Sequence, residues 1–240
     1  MTLPGLPIQF EREQLMLIFN FDEDNVDIFA AMNSPSYIIT GNVLIRTGVI
    51  IGSSDTAIAA MFFDGFAAGS VFHIFNDGRI AGRGGDGGDG EIGVGNFYGG
   101  GGGGGGGKDV GVGGAATAPG TAGVNGTATA GGVGGTSDVG APGPEIQRTA
   151  PGDGGPAISH GAFELTITNG SGEIWGGGGG GAAGGFVFLP LDGEDGSAPG
   201  DSSSFTSTYF AGFSGKAVAG TGDITWVSGE SGPNVKGDIH

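Results

Sequence analysis

Nine consecutive glycines, from Gly99 to Gly107, run into Lys108, the kind of pairing with which a phosphate-binding loop cradles an anion. That loop also needs a strand before the turn, a helix after it and a Ser or Thr next to the Lys. Here Asp109 and Val110 follow, and no helical pattern begins. A second candidate, Gly84-Gly-Asp-Gly-Gly-Asp-Gly90, matches a calcium-binding nonapeptide repeat only in part. Glu91 stands where that repeat requires an apolar residue, and there is no tandem copy. Asp86 and Asp89 are therefore expected as solvated turn carboxylates, as are Asp192, Glu194 and Asp195, whose spacing builds no cation cage. His73, His160 and His240 are far apart in sequence and have no partner motif, and His73 reads as a packed or edge residue of a strand. No Ser lies in a nucleophile-elbow context, no carboxylate pair has hydrolytic spacing, and cysteine is absent. The expectation is no enzyme, no metal and no cofactor.

Aromatic side chains remain as candidates for binding. Phe97 and Tyr98 interrupt a glycine-rich stretch that offers no side-chain core. Phe205, Tyr209, Phe210 and Phe213 lie in a Ser/Thr/Gly segment of the composition used by adaptable recognition loops. Trp175 and Trp226 occur in strand contexts and read as packing residues.

Something must hold such residues in place, and the composition restricts what it is. Sixty of 240 residues are Gly, which has the largest backbone entropy to lose on folding and no side chain to bury. Between Gly84 and Gly135, 14 of the 18 positions divisible by three are Gly, the exceptions being Asn96, Lys108, Thr117 and Thr129. One glycine phase held over so many triplets indicates left-handed extended helices with three residues per turn, whose amides and carbonyls all point outward. Collagen also has this period but needs abundant Pro, and only Pro119 falls in the window. The expectation is a bundle of packed polyglycine II helices joined laterally by hydrogen bonds. Straight, the window would extend about 160 Å. Folded back on itself it makes several rods, all-Gly triplets innermost and triplets such as Ala115-Ala116-Thr117 outermost.

Around the rods, apolar alternation and β-branched residues indicate strands. These are expected at Leu15 to Phe21, Tyr37 to Thr40, Asn42 to Arg46, Val49 to Ile51, Val71 to Phe75, Phe163 to Thr168 and Asp223 to Val227, with a short helix or strand at Asn25 to Met32. A unit recurs: Gly48/Ile50/Gly52, Gly78/Ile80/Gly82 after Asn76, and Gly172/Ile174/Gly176 after Asn169. Strand, Asn/Gly turn, one buried Ile and then glycine suggests strands that clamp the roots of the rods. The fold class is thus mainly β plus polyglycine II. Residues 1–80 form a β-rich attachment module, and residues 81–160 a glycine-rich region with a Pro-rich loop. Residues 161–240 supply a strand, a second glycine run and a tip segment.

Eight basic against 25 acidic residues give a net charge of −17, which repels phosphate backbones and anionic headgroups. Nucleic acid is not an expected partner, nor is membrane insertion, since no apolar run reaches spanning length. No basic-then-apolar leader opens the chain, so synthesis in a host cytoplasm without a signal peptide is expected.

Three stretches resemble the glycine-rich tail-fibre adhesins, or receptor-recognition proteins, of tailed bacteriophages. They are Gly48-Val-Ile-Ile-Gly-Ser-Ser54, Asn76-Asp-Gly-Arg-Ile-Ala-Gly-Arg-Gly-Gly-Asp-Gly-Gly88 and Gly172-Glu-Ile-Trp-Gly-Gly-Gly178, joined by a closing segment from Gly215 to Ile239. The resemblance implies a virion protein with a β-containing attachment region, a polyglycine II tip and loops that touch a receptor on the bacterial outer surface. The partners it implies are other tail or fibre proteins, through the N-terminal module, with a homotrimer among the assemblies such fibres form. The alternative is a purely structural virion fibre or spike that never meets a receptor.

Overall fold

The computed structural model describes residues 13–90, 92–93, 97–116, 120–139, 149–184, 195–201, 212–229 and 234–239. Within them the chain is mainly β, with parallel sheets. The first coil is β1 (Glu13–Phe19), β2 (Glu23–Asp24) and β3 (Val26–Asp27), followed by the single-turn α1 (Ile28–Ala31), whose first turn is capped by the Asp27 carboxylate accepting from Ala30 N–H. The second is β4 (Ile39–Ile45), β5 (Ile50–Gly52) and β6 (Met61–Phe63). The third opens with β7 (Val71–Asn76) and β8 (Arg79–Ala81) and then leaves for the glycine-rich segment. That segment carries β9 (Ile92–Gly93), β10 (Phe97–Tyr98) and β11 (Asp138–Val139). The chain returns in β12 (Ile158–His160) to complete the third coil. The fourth coil is β13 (Glu164–Asn169), β14 (Glu173–Trp175), a second glycine-rich excursion and β15 (Val218–Gly220). The fifth is β16 (Ile224–Ser228) and β17 (Val235–Lys236), closed by a parallel bridge from Ile239 to Val218.

The corresponding strands of successive coils pair in parallel, giving three sheets ordered β1-β4-β7-β13-β16, β2-β5-β8-β14-β17 and β3-β6-β12-β15. The result is a three-sided β-solenoid that one chain closes by itself. Strands from residues 161–240 continue the sheets begun in residues 1–80.

Alternating residues point inward, so each in-register position becomes a ladder along the axis. Leu17, Val43, Ile74, Ile167 and Trp226 form one ladder; Val26, Met61, Ile158 and Val218 form another. Val43, Met61, Ile74, Ile158, Ile167 and Val218 are fully buried. Phe63, Phe66, Phe72 and Phe163 pack edge-on or tilted in one corner, with centroids 4.4 to 6.3 Å apart. Gly41 belongs here because Phe72 occupies the space its side chain would need.

The recurring unit forms the corner between the first and second sheets. Asn76 and Asn169 are stacked and buried, Asn76 Nδ2 donating to Asn169 Oδ1 at 2.9 Å and to the Glu173 carbonyl at 3.2 Å. Gly78 N–H donates back to Asn76 Oδ1, and neither Gly78 nor Gly172 has room for a Cβ. Ile80 and Ile174 are buried and stacked.

The first copy of the unit is corrected by one residue. Ile51, not Ile50, pairs with Ile80, and Gly52 aligns with Ala81 and Trp175 instead of with Gly82 and Gly176. Six residues separate Ile45 from Ile51, but only four separate Asn76 from Ile80. The turn is longer by two, and one of the extra residues falls after Gly48 (φ +83), so the inward side chain stands one place farther from the glycine than in the second copy. The closing glycines also differ in role from one copy to the next. Gly52 is the last residue of β5, whereas Gly82 and Gly176 lie just past the ends of β8 and β14 and open the glycine-rich excursions. Gly82 N–H donates to the Trp175 carbonyl and Gly176 N–H to that of Lys236, both at 2.9 Å. A Cβ on Gly176 would strike the Gly215 carbonyl, so backbone crowding is what requires glycine there.

Candidate functional site

Both glycine-rich excursions leave the solenoid at the same corner, after β8 and after β14, and return through β12 and β15. Between these points the described chain runs as straight rods at residues 82–90, 99–107, 109–116, 120–127, 130–136, 149–155, 176–184, 195–198 and 212–215. Every third amide of a rod donates to the same neighbour. Gly84, Gly87 and Gly90 donate to the carbonyls of Asp109, Val112 and Ala115, while Gly85 and Gly88 donate to Gly178 and Gly181. Gly101, Gly104 and Gly107 donate to Thr121, Val124 and Thr127. Gly178, Gly181 and Gly184 donate to Gly106, Gly103 and Gly100.

The 99–107 rod is central. Hydrogen bonds tie it to the 82–90, 109–116, 120–127, 130–136, 195–198 and 176–184 rods, and most of these are tied to the next around the ring. A Cβ on Gly103, Gly104 or Gly105 would strike the carbonyl of Gly132, Gly111 or Gly178, a different rod each time. A rod enclosed on all sides must therefore be all glycine. Outer rods need glycine at one position in three, and residues 111–116 and 131–137 show the period directly: Gly111, Gly114, Gly132 and Gly135 are buried, Val112, Ala115, Val133 and Thr136 exposed. No glycine of the 99–107 or 176–184 rod has a positive φ, so it is close approach that demands glycine there.

Carboxylates stitch the outer rods together. Asp86 Oδ1 accepts from Val112 N–H (2.8 Å), Asp89 Oδ1 from Ala115 N–H (2.7 Å), Asp153 Oδ1 from Phe213 N–H (2.8 Å) and Asp195 Oδ1 from Gly134 N–H (2.8 Å). Asp86 and Asp89 are thus corrected from solvated turn residues to bridges between rods. Lys108, at the turn between the 99–107 and 109–116 rods, pairs with Asp24 at 2.6 Å and lies over Gly52. It ties the bundle root to the first two coils. Among the described residues no group of three or more His, Asp or Glu is placed to hold a metal ion.

At the end of the bundle away from the coils, β9, β10 and β11 form a small antiparallel sheet with Phe97-Tyr98 as its middle strand. Tyr98 is buried. Phe213 is 63% exposed but lies near the coils, about seven residues or roughly 20 Å down the rods from Tyr98. The structure does not bring these two together. Phe205, Tyr209 and Phe210 lie outside the described residues. Trp175 is buried at the root of the 176–184 rod, with the cations of Arg79 and Lys236 each 4.4 Å from its ring centre. His73, on the outer face of the first sheet, lies 2.7 Å from Thr168 Oγ1 and stacks on Phe75; burial lowers its pKa.

Residues 16–96, which hold most of the first two coils, open the third and enter the rods, match the family model of the phage tail fibre adhesin Gp38. Over that segment the chain is similar to phage tail-fibre adhesins. Its fold is similar to that in the crystal structure of the gp37-gp38 adhesin tip complex of the bacteriophage S16 long tail fiber. The TM-score is 0.51 at 16% identity, over 95% of this chain and 83% of the S16 chain. No curated protein matches this chain.

Proposed function

We propose that the adhesin binds a receptor on the host-cell surface with the end of the rod bundle farthest from the coils. The observation that carries this reading is the alternation of rod direction. Gly90, Gly99, Ala116, Gly120, Thr136, Thr149 and Gly184 all stand at that end, which makes it one rigid support for a contact surface. Phe97, in the middle strand at that end, is proposed as an aromatic contact residue, as are Phe205, Tyr209 and Phe210. Tyr98 supports the strand from below, and Phe213 would touch only a partner reaching down the side.

The rods themselves are proposed to be polyglycine II helices, since hydrogen bonding and burial repeat every three residues with no bond inside a rod. Residues 1–80 serve as the attachment module, while 81–160 and 161–240 supply rods and tip. The coil end carrying β1 exposes Met16 (62%), Ile18 (42%) and Phe21 (78%), an apolar surface suited to another tail-fibre protein. The S16 structure is itself a complex of two such proteins. One chain closes all three faces of the solenoid, which favours a monomer on the fibre over a homotrimer.

Competition tests the receptor reading. Purified adhesin should slow adsorption of its phage to host cells, and exchange of residues 91–98 and 137–148 should abolish that competition without changing the melting temperature. Absence of any competition by the parent protein would leave only the structural-fibre reading.

A further inference from the structure

We infer that Asn125-Gly126 is a modification site held shut by the bundle, a deamidating pair that reacts only when the 109–116 and 120–127 rods separate and whose isoaspartate product keeps them apart. The inference goes beyond the receptor reading and does not depend on it. The sequence holds two Asn-Gly pairs, Asn125-Gly126 in the rods and Asn169-Gly170 in the solenoid. In such a pair the glycine nitrogen, which no side chain shields, attacks the side-chain carbonyl carbon of the asparagine. A bond forms between Gly126 N and Asn125 Cγ, and the bond from Cγ to Nδ2 breaks. Nδ2 leaves as ammonia with the proton from Gly126 N. Water then opens the cyclic imide at either carbonyl. Opening at Cγ gives aspartate; opening at the main-chain carbonyl gives isoaspartate, with one extra carbon in the backbone.

Both groups that must meet are tied to the neighbouring rod. Gly126 N–H donates to the Gly111 carbonyl at 3.0 Å, and Asn125 Oδ1 accepts from Gly113 N–H at 2.9 Å. The Gly105 carbonyl fills the space beside Gly126 Cα, so the backbone cannot swing toward the side chain while the rods are closed. Asn125 itself is exposed, so water reaches the site once the rods part.

The two products differ in what they do to the bundle. Asp86, Asp89, Asp153 and Asp195 make with a carboxylate the same bridge that Asn125 makes with an amide, so aspartate at 125 restores it. Isoaspartate moves Gly126 along by one backbone atom, out of line with Gly111 and out of the slot at Gly105. Asn169 is the internal comparison. It is buried, its Oδ1 accepts from Asn76 Nδ2, and Gly170 N–H donates to the Asn76 carbonyl at 3.0 Å. An outer rod opens locally at lower cost than a filled core, so the two pairs report on the two regions separately.

The test keeps the full chain in mildly alkaline buffer, folded or in urea, and follows both pairs by peptide mapping. Folding should slow deamidation at Asn125 about tenfold or more, since two hydrogen bonds must break first; a smaller slowing overturns the inference. In the folded chain Asn125 should react faster than Asn169, and equal rates would mean that only global unfolding exposes either. Asp86→Ala frees Val112, which lies between the two locking residues, and should raise the rate at Asn125 about threefold or more with Asn169 unchanged. A rise at both pairs alike, or at neither, overturns the local opening. The isoaspartate fraction, separated by chromatography, should lose hydrogen-exchange protection at Gly111 and Gly113, whereas Asn125→Asp should keep it. Protection retained in the isoaspartate form, or lost in both, overturns the contrast between the products.

Discussion

The solenoid and the rod bundle stand on the same chain but are held by opposite means. In the coils, Ile51, Ile80, Ile158, Leu165, Ile167 and Ile174 are fully buried, and side chains fill the space that backbone pairing encloses. In the rods, backbone fills it: the interior of the 99–107 rod contains only glycine, and its amides bond laterally in several directions. A coil buries apolar area and tolerates small changes of shape. A rod buries almost no side chain, and its stability rests on satisfying every peptide group at close approach. Apolar mutations should therefore damage one region and backbone-crowding mutations the other.

The largest expected effect comes from adding one methyl group inside the bundle. Gly105→Ala points its Cβ into the Gly178 carbonyl and should cost more than about 4 kcal/mol, read as loss of the cooperative melt. Gly161→Ala, whose Cβ meets only the Phe163 ring at 3.6 Å, should change melting little; equal damage from the two would end the contrast. Next is the reverse experiment in the coils. Ile174→Ala should destabilise by about 2–5 kcal/mol in denaturant titration, and a loss under about 1 kcal/mol would show that the ladder is not what holds the fourth coil. Asp86→Ala strips the acceptor from Val112 N–H and should cost about 1–3 kcal/mol, while Asp86→Asn should keep most of it; hydrogen exchange at Val112 separates the two. Lys108→Met, which unties the bundle root from Asp24, should cost only about 0.5–1 kcal/mol in thermal melts because the pair is partly solvated.

The smallest effect concerns His73. Burial favours its neutral form in the fold, so below pH 6.5 the unfolded chain binds the proton more readily. The stability this gives is present above pH 6.5 and is lost as pH falls through the lowered folded value. Melting of the parent should fall slightly more steeply with acid than that of His73→Gln, and parallel curves would remove the effect.

The rod interior was legible because its constraint is written in residue type: only glycine survives such close approach, and every third position shows it. The strand Phe163 to Thr168 was legible for a similar reason, since one face is core and the other solvent; it forms as β13. Tyr37 to Thr40 and Asn42 to Arg46 join into the single strand β4, because Gly41 gives its space to Phe72 without breaking the pairing. The spacing Gly-x-Ile-x-Gly read alike in three places, yet Gly52 ends a strand while Gly82 and Gly176 begin rods, because turn length and not the local motif sets the register. β12 and β15 were not legible. Each is three residues long among prolines and glycines, too short for any period, and exists because the coils on either side supply its partners. The Asp bridges and the height of the valines depend on which rods become neighbours, which a one-dimensional pattern does not record. The aromatic candidates were chosen by composition alone, so they scatter: Tyr98 turns inward, and Phe213 lies low on the bundle.

The alternating rods have a mechanical consequence. A pull on the far end of the bundle enters it along the rod axes. Lateral bonds between neighbouring rods are then loaded in shear, many at once, rather than peeled open one after another. The central rod passes tension outward to every rod around it, and the chain re-enters the coils at β12, paired on both sides, and at β15, paired with β12 and bridged to Ile239. Such a bundle yields little before it fails.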